Sequence, residues 1–136
     1  MSRIIIAGGR EIKEYDIEWA VQKSGFNIST LLNGKCPYGG IDEIAENWAN
    51  SKGIPIEFYP ADFSKLGKKA VPLRNKKMIN ADAFGLILIW NGKSQGSKSM
   101  KEDAEKAGLF IYEIIFPTKI FPRKKKKKSV DDKELF

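Results

Sequence analysis

The chain has 136 residues, 42% of them hydrophobic and 30% charged, which is typical of one domain with a sizeable core. Its apolar runs fall far short of the roughly 20 residues that a membrane-spanning helix needs, and the stretch before Gly8 is too brief for a secretory signal. We therefore expect a cytoplasmic protein without a membrane partner. A single cysteine and no histidine exclude internal disulfides, zinc sites built on His or Cys pairs, and Ser-His-Asp or Cys-His catalysis.

The net charge of +7 is concentrated at the C-terminal end. Arg123 and residues 124–128 form a run of six basic residues, followed by a mainly acidic stretch. Such a run cannot bury apolar surface. We expect a folded domain over residues 1–122 and a mobile tail over residues 123–136. The tail either binds nucleic acid through phosphate neutralisation or serves only as a solubilising end.

Strand and helix patterns alternate along the chain. In order, they predict a strand over 3–7, a helix over 15–23, a strand over 28–32, a helix between Gly40 and Gly53, a strand over 54–59, a helix over 72–79, a strand over 84–90, a helix capped by Ser97 or a neighbour and ending at Ala107, and a strand over 109–116.

This alternation predicts an α/β fold, a Rossmann-like three-layer sandwich with a mostly parallel five-stranded sheet. The commonest right-handed winding has the strand order 3-2-1-4-5, and the very apolar strand 84–90 is expected near the middle of the sheet. Ligands bind such sheets at the carboxyl ends of the strands, beside the switch between the first and fourth strands. The loops after the first, second and fourth strands are therefore the candidates for a binding site.

Two of these loops carry glycine pairs. Gly8 and Gly9 would let backbone N–H groups approach a phosphate, with Arg10 supplying a fork of donors. The alternative is a tight turn with a solvent-facing arginine. The second pair, at residues 39 and 40, opens a helix whose free N–H groups would form an anion site, and Asp42 either accepts from a ribose hydroxyl or only caps the helix.

The loop after the fourth strand combines glycines, hydroxyls and a lysine just before a helix, like a phosphate cradle, although its spacing is not that of a Walker motif. Arg74 and Asn75 lie one turn after Pro72, where they either reach the cleft or form an exposed polar face. Trp90 and Tyr38 are candidates for stacking on a base. The candidate ligand-binding residues are Gly8, Gly9, Arg10, Gly39, Gly40, Asp42, Arg74, Asn75, Trp90, Gly92, Lys93, Ser94, Gly96 and Ser97.

Five segments in this order resemble a known family. They are IIAGGR at 5–10, GGID at 39–42 with ENWA at 46–49, PAD at 60–62, GKKA and PLRN within 67–75, and WNGKS within 90–100. Residues 3–116 resemble the YspA-type branch of the SLOG superfamily, Rossmann-like proteins common in bacteria and their phages. The resemblance implies a site for a nucleotide or nucleotide-derived ligand, with residues 8–10 on one side and residues 92–97 holding phosphate, in a bacterial or phage-infected cytoplasm.

Two departures from the family pattern bear on function. The second loop, usually built of small residues, is bulkier over residues 33–42. The sister phosphoribohydrolases pair an arginine, matched here by Arg74, with a glutamate whose position falls at Met100, with Glu102 nearby. Because cleavage of an N-glycosidic bond needs a carboxylate, binding is favoured over catalysis. We therefore expect a nucleotide sensor or sequestering module, as a homodimer.

The sequence is compatible with two alternatives. One is phosphoribohydrolase-like cleavage of a nucleotide, with Arg74 and Glu102 as the candidate catalytic residues. The other is single-stranded nucleic-acid binding as in the DNA-processing (DprA-like) branch of the superfamily, with the basic tail helping.

Overall fold

The computed structural model describes residues 1–116. Its elements, in chain order, are β1 (Ser2–Gly8), α1 (Ile17–Ser24), β2 (Ile28–Asn33), α2 (Ile41–Lys52), β3 (Ile56–Phe58), α3 (Phe63–Leu66), a 3-10 turn (Gly67–Lys69), α4 (Ala70–Ile79), β4 (Gly85–Trp90), α5 (Gln95–Lys106) and β5 (Phe110–Ile115).

The five strands form one sheet in the order β3-β2-β1-β4-β5, and every neighbouring pair is parallel. The predicted fold class and strand order are therefore confirmed. The central strand is β1, and β4, all of whose residues are buried, lies directly beside it. Burial on both faces explains the continuous apolar runs of these two strands.

Alternate residues of the central strands point into two separate cores. Ile4 and Ile6 face the layer formed by α1 and α2, whereas Ile5 faces Met78 of α4 and Met100 of α5. The chain thus builds a three-layer sandwich.

The structure adds detail in the region between β3 and α4. Asp62 caps the short helix α3 by accepting a hydrogen bond from the Lys65 backbone N–H, at 3.2 Å, and α4 begins at Ala70, two residues before Pro72. Neither α3 nor the 3-10 turn was predicted from the sequence, because four-residue helices show no periodicity. Strand β3 has three residues rather than the predicted six.

The residues described by the structure include no helix long and apolar enough to cross a bilayer. The predicted tail, residues 123–136, lies outside the described residues, as does the end of the predicted domain, residues 117–122.

Candidate functional site

A cavity of about 440 Å³ opens at the carboxyl ends of β1, β2 and β4, on the side of the sheet covered by α4 and α5. Its apolar residues include Ala7, Leu88, Met78 and Met100. Polar groups from three loops and from the first turn of α5 form the remaining walls. The cavity therefore lies at the edge where parallel α/β sheets bind their ligands.

The turn after β1 forms the first wall. A Cβ on Gly8 would lie 1.8 Å from the carbonyl oxygen of Ile89, so only glycine fits between β1 and β4 here. The N–H of Gly9 donates to that same carbonyl, at 3.0 Å. Glu11 folds over Gly9, since a Cβ there would meet a Glu11 carboxylate oxygen at 2.6 Å. This carboxylate lines the cavity and was missed from the sequence, where nothing distinguishes Glu11 from an ordinary surface residue.

The loop after β2 forms the second wall and is held by buried polar groups. The Asn33 amide donates to the Asp42 carbonyl at 2.8 Å, while its side-chain oxygen accepts from the Lys35 N–H at 2.7 Å. The Asp42 carboxylate accepts from the Cys36 N–H at 3.0 Å. Burial raises the pKa of Asp42, and the nearby Arg74 guanidinium partly offsets this rise. The other carboxylate oxygen of Asp42 has no hydrogen bond among the described residues.

The N-terminus of α2 is directed at the turn after β1 rather than at the cavity. The Ile41 N–H donates to the Gly9 carbonyl at 3.1 Å. Gly40, at φ 73°, lies so close to this turn that a Cβ would come within 2.3 Å of the Arg10 Cα. Gly39 and Gly40 do not line the cavity, and the Ile41 N–H, one of the groups predicted to hold an anion, is already bonded to the turn after β1. Close packing of two backbone segments explains the glycine at position 40, whereas Gly39, at φ 83°, has the left-handed backbone conformation that favours glycine.

The mouth of the cavity is formed where these two loops meet. The Arg10 guanidinium lies over the ring of Tyr38, 4.8 Å from its centroid. The Lys13 ammonium donates to the Arg10 carbonyl at 3.1 Å and to the Tyr38 carbonyl at 3.3 Å, which ties the loops together. Although Tyr38 is 62% exposed, its backbone is anchored at the cavity rim.

Arg74 and Asn75 of α4 form the third wall. The Arg74 guanidinium donates to the backbone carbonyls of Gly34 and Tyr59, and its Nε donates to the Asn75 side-chain oxygen at 2.8 Å. Burial lowers the pKa of Arg74, against the opposing effect of Asp42. Asn75 is 3% exposed, and its amide NH₂ has no hydrogen-bond partner among the described residues. Such a buried donor is costly unless a ligand or water satisfies it.

The first turn of α5 closes the cavity. Asn91 accepts from the N–H groups of Lys93 and Ser94, at 2.8 and 3.0 Å, and so orients the loop before the helix. Ser94 caps α5 by accepting from the Ser97 N–H at 3.3 Å. Ser97 is 8% exposed, and its hydroxyl has no hydrogen bond among residues 1–116. First-turn N–H groups have no partner within their own helix, so this end attracts anions.

The cavity brings together nine of the predicted site residues: Gly8, Gly9, Arg10, Asp42, Arg74, Asn75, Ser94, Gly96 and Ser97. Five others do not line it: Gly39, Gly40, Trp90, Gly92 and Lys93.

Trp90, a candidate from the sequence for stacking on a base, does not line the cavity. It is 5% exposed, packs in the core on the α4–α5 side, and donates its indole N–H to Glu113 at 2.7 Å. Gly92, at φ 82°, forms the turn that follows Trp90 and faces Ile115. Lys93 is exposed beside this turn.

The candidate catalytic carboxylate of the alternative enzyme hypothesis, Glu102, also lies outside the cavity. Glu102 is exposed on α5 and does not line the cavity, and the neighbouring Asp103 pairs with Lys76 at 3.2 Å. The acidic side chains that line the cavity are Glu11 and Asp42, which face the basic side chains Arg10 and Arg74. Within the described chain, no three Cys, Asp or Glu side chains cluster as a metal site would require.

Comparisons with known proteins agree with this architecture. Residues 2–66 match the sequence model of the YspA, cpYpsA-related SLOG family. The chain is also similar to the Gene 61 protein of Mycobacterium phage D29, with 30% identity over 119 residues that cover 80% of this chain and 93% of the phage protein. The family match spans β1, the loop after β2 and α2, and therefore two of the cavity walls.

Proposed function

The chain belongs to the YspA, cpYpsA-related SLOG family, and from that premise we propose that it binds a nucleotide or nucleotide-derived ligand in the cavity, as a sensor or sequestering module. The observation that carries the proposal is a pair of buried, unpartnered polar groups that line the same cavity, the Ser97 hydroxyl in the first turn of α5 and the Asn75 amide of α4. A phosphate at this position would accept from both groups and from the helix N–H groups.

The remaining walls match the other parts of a nucleotide. The second oxygen of Asp42 is available to accept from a ribose hydroxyl, since its partner oxygen is already held by Cys36. The ring of Tyr38 at the rim offers a face for a base. A cavity of about 440 Å³ lies within the usual size range of small-molecule sites, roughly 300 to 1,000 Å³.

Calorimetric titration of the full chain with AMP, ADP-ribose and cyclic dinucleotides tests the proposal. We expect saturable binding to at least one of these ligands. The Ser97→Ala variant should weaken that binding by about tenfold or more, since a hydrogen bond to a charged group contributes roughly 1.5 to 3 kcal/mol. The Ser97 hydroxyl forms no hydrogen bond with another described residue, so its loss should leave the fold intact.

Ser99→Ala is the matched control, because Ser99 lies on the same helix but does not line the cavity. Arg74→Ala is a poorer choice, since Arg74 also holds the loops at Gly34 and Tyr59. Absence of binding across the panel, or equal losses in the two serine variants, would contradict the proposal.

A second candidate function is cleavage of an N-glycosidic bond, favoured by the two carboxylates that line the cavity. In this reaction water adds to the anomeric carbon, the carbon–nitrogen bond breaks, and the base leaves with a proton. Glu11 and Asp42, rather than Glu102, would then carry the carboxylate role beside Arg74. Release of adenine from AMP, followed chromatographically and abolished by Glu11→Gln or Asp42→Asn, is the expected result. Binding of AMP without turnover would eliminate this candidate.

The homodimer and the cytoplasmic location also stay predictions. Sedimentation of the full chain would test the first of these. Loose attachment of nucleic acid to the tail is a prediction about residues that lie outside the described part of the chain.

A further inference from the structure

A second concave surface lies beside the cavity, between β3 and the segment from α3 to α4. This groove has a volume of about 940 Å³ and is lined by residues that include Phe58, Leu66 and Leu73, all of them exposed large apolar side chains. The groove and the cavity share Ala61 and Arg74 in their common wall. Apolar side chains gathered in an exposed groove mark a surface that binds a partner.

The chain around this groove has an unusual charge pattern. Residues 63–77 contain six basic residues and no acidic one. Asp62, which lines the groove just before them, accepts hydrogen bonds from the Ser64 hydroxyl and the Lys65 N–H. Of the basic residues, Arg74 is bonded to the neighbouring loops and Lys76 pairs with Asp103. The ammonium groups of the other four form no ion pair or hydrogen bond with any residue that the structure describes. Of these four, Lys77 lines the groove, whereas Lys65, Lys68 and Lys69 belong to α3 and the 3-10 turn that border it.

The partner must therefore combine negative charge with flat apolar faces. Single-stranded nucleic acid has this chemistry, because each nucleotide carries a phosphate and an exposed base. Duplex DNA hides its bases, so it would match the lysines but leave the groove side chains uncovered. A bilayer surface is flat, whereas the apolar side chains here line a concavity.

We propose that this groove binds single-stranded nucleic acid, with the four unpaired lysines contacting phosphates and Phe58, Leu66 and Leu73 contacting bases. The inference goes beyond the nucleotide cavity and uses different side chains. Phe58 is the candidate stacking residue. The Lys35 ammonium lies 4.8 Å from the centroid of the Phe58 ring. Lys35 also forms an ion pair with Glu46.

Fluorescence anisotropy of a labelled twelve-nucleotide oligothymidine with the full chain, at several salt concentrations, tests the proposal. The triple variant Lys68→Gln, Lys69→Gln, Lys77→Gln should bind at least tenfold more weakly. Its salt slope should fall by about 2, because each neutralised phosphate of a single strand contributes roughly 0.7. The triple variant Lys23→Gln, Lys98→Gln, Lys106→Gln removes the same charge from exposed, unpaired lysines elsewhere and should lose less than twofold.

The apolar contact has its own pair of variants. Phe58→Ala should weaken binding several-fold without changing the salt slope, while Phe110→Ala, which removes another exposed phenylalanine at the start of β5, should not. Both triple variants keep the basic tail, so equal losses in the two would assign the binding to net charge alone and overturn the proposal. Absence of oligothymidine binding would overturn it too. The proposal would also be overturned if the protein bound vesicles containing phosphatidylserine more tightly than oligothymidine, and if the triple variant Lys68→Gln, Lys69→Gln, Lys77→Gln abolished this vesicle binding.

Discussion

The Arg10 guanidinium lies over the ring of Tyr38 at the rim of the cavity, 4.8 Å from the ring centroid. The contact joins the turn after β1 to the loop after β2, and Lys13 fixes the backbones of both by donating to their carbonyls. A partly exposed aromatic ring is thereby held in one place before any ligand arrives. A base that stacks on this ring would avoid much of the ordering cost of binding.

Replacing Tyr38 by alanine should therefore weaken binding of AMP or ADP-ribose by about five- to a hundredfold, since base–aromatic stacking contributes roughly 1 to 3 kcal/mol. Tyr38→Phe should bind almost normally, because the ring is retained. Ribose 5-phosphate, which has no base, should bind wild type and Tyr38→Ala equally in calorimetric titrations. An equal loss for ribose 5-phosphate would show that Tyr38 does not contact the base.

Two glycines of the cavity should respond to alanine in opposite ways. Gly8→Ala should destabilise the fold by about 3 kcal/mol or more, because the new methyl group meets the Ile89 carbonyl and the strand pair must separate. Gly96→Ala should stabilise it by about 0.5 kcal/mol, since the helical backbone gains a better helix former and no atom lies within 4 Å of the new Cβ.

Urea denaturation measures both changes. Gly96→Ala should at the same time weaken nucleotide binding, because the added methyl group projects near the first turn of α5, where we place the phosphate. Higher stability with unchanged affinity would move the phosphate away from this turn.

Trp90→Phe should reduce stability while leaving ligand affinity within twofold. The substitution removes the indole N–H that bonds Glu113 at 2.7 Å and leaves unfilled space in the core. Together these effects cost roughly 1 to 3 kcal/mol. Thermal denaturation and calorimetric titration of the same variant separate the two readouts. A large loss of ligand affinity without a loss of stability would indicate that Trp90 contacts the ligand.

The Arg3–Glu57 pair should make stability depend on acid pH. Two hydrogen bonds from Arg3, both 2.8 Å, together with one from Tyr59, lower the pKa of Glu57 from 4.5 to about 2. Because the folded-state pKa is depressed, the stabilisation is complete above pH 4.5 and is lost as the pH falls towards 2. The pair is partly exposed, so solvent screening limits its contribution to about 1 kcal/mol.

Glu57→Gln should accordingly lower the melting temperature by about 4 °C at pH 7, and the difference from wild type should shrink towards zero near pH 2. Glu14→Gln, which removes an exposed carboxylate without an ion pair in the described chain, should show no such dependence. A constant difference between wild type and Glu57→Gln over this pH range would contradict the assignment.

Strand order and the edge that carries the cavity could be predicted from the sequence, because buried parallel strands leave long apolar runs and glycines mark their ends. Which loop residues face inward could not. Leu88 and Trp90 lie two residues apart on β4 and therefore point to the same face of the sheet. Trp90 is held in the core by its hydrogen bond to Glu113 on the neighbouring strand β5, and this partner is not apparent from the sequence around Trp90. Glu11 lines the cavity only because Gly9 has no side chain to keep its carboxylate away.

The α2 helix shows the same limit. A glycine pair before a helix is compatible with an anion site and with close contact between two backbone segments. These two arrangements differ only in whether an anion or another part of the backbone faces the N-terminus of the helix. Here the Gly9 carbonyl lies opposite and accepts the Ile41 N–H. That partner is 32 residues away in the sequence, so no local pattern reveals it.

The cavity walls come from six parts of the chain that meet only when the sheet is complete: residues within 7–11, 34–42, 61–63, 71–78 and 94–100, together with Leu88. No unfolded or half-assembled chain holds them together, so a compound that fits the cavity binds the native state alone. At a free concentration of a hundred dissociation constants, such a compound adds about 2.7 kcal/mol to the unfolding free energy. Melting curves recorded across a library of metabolites would thus reveal the natural ligand without any assay for its chemistry.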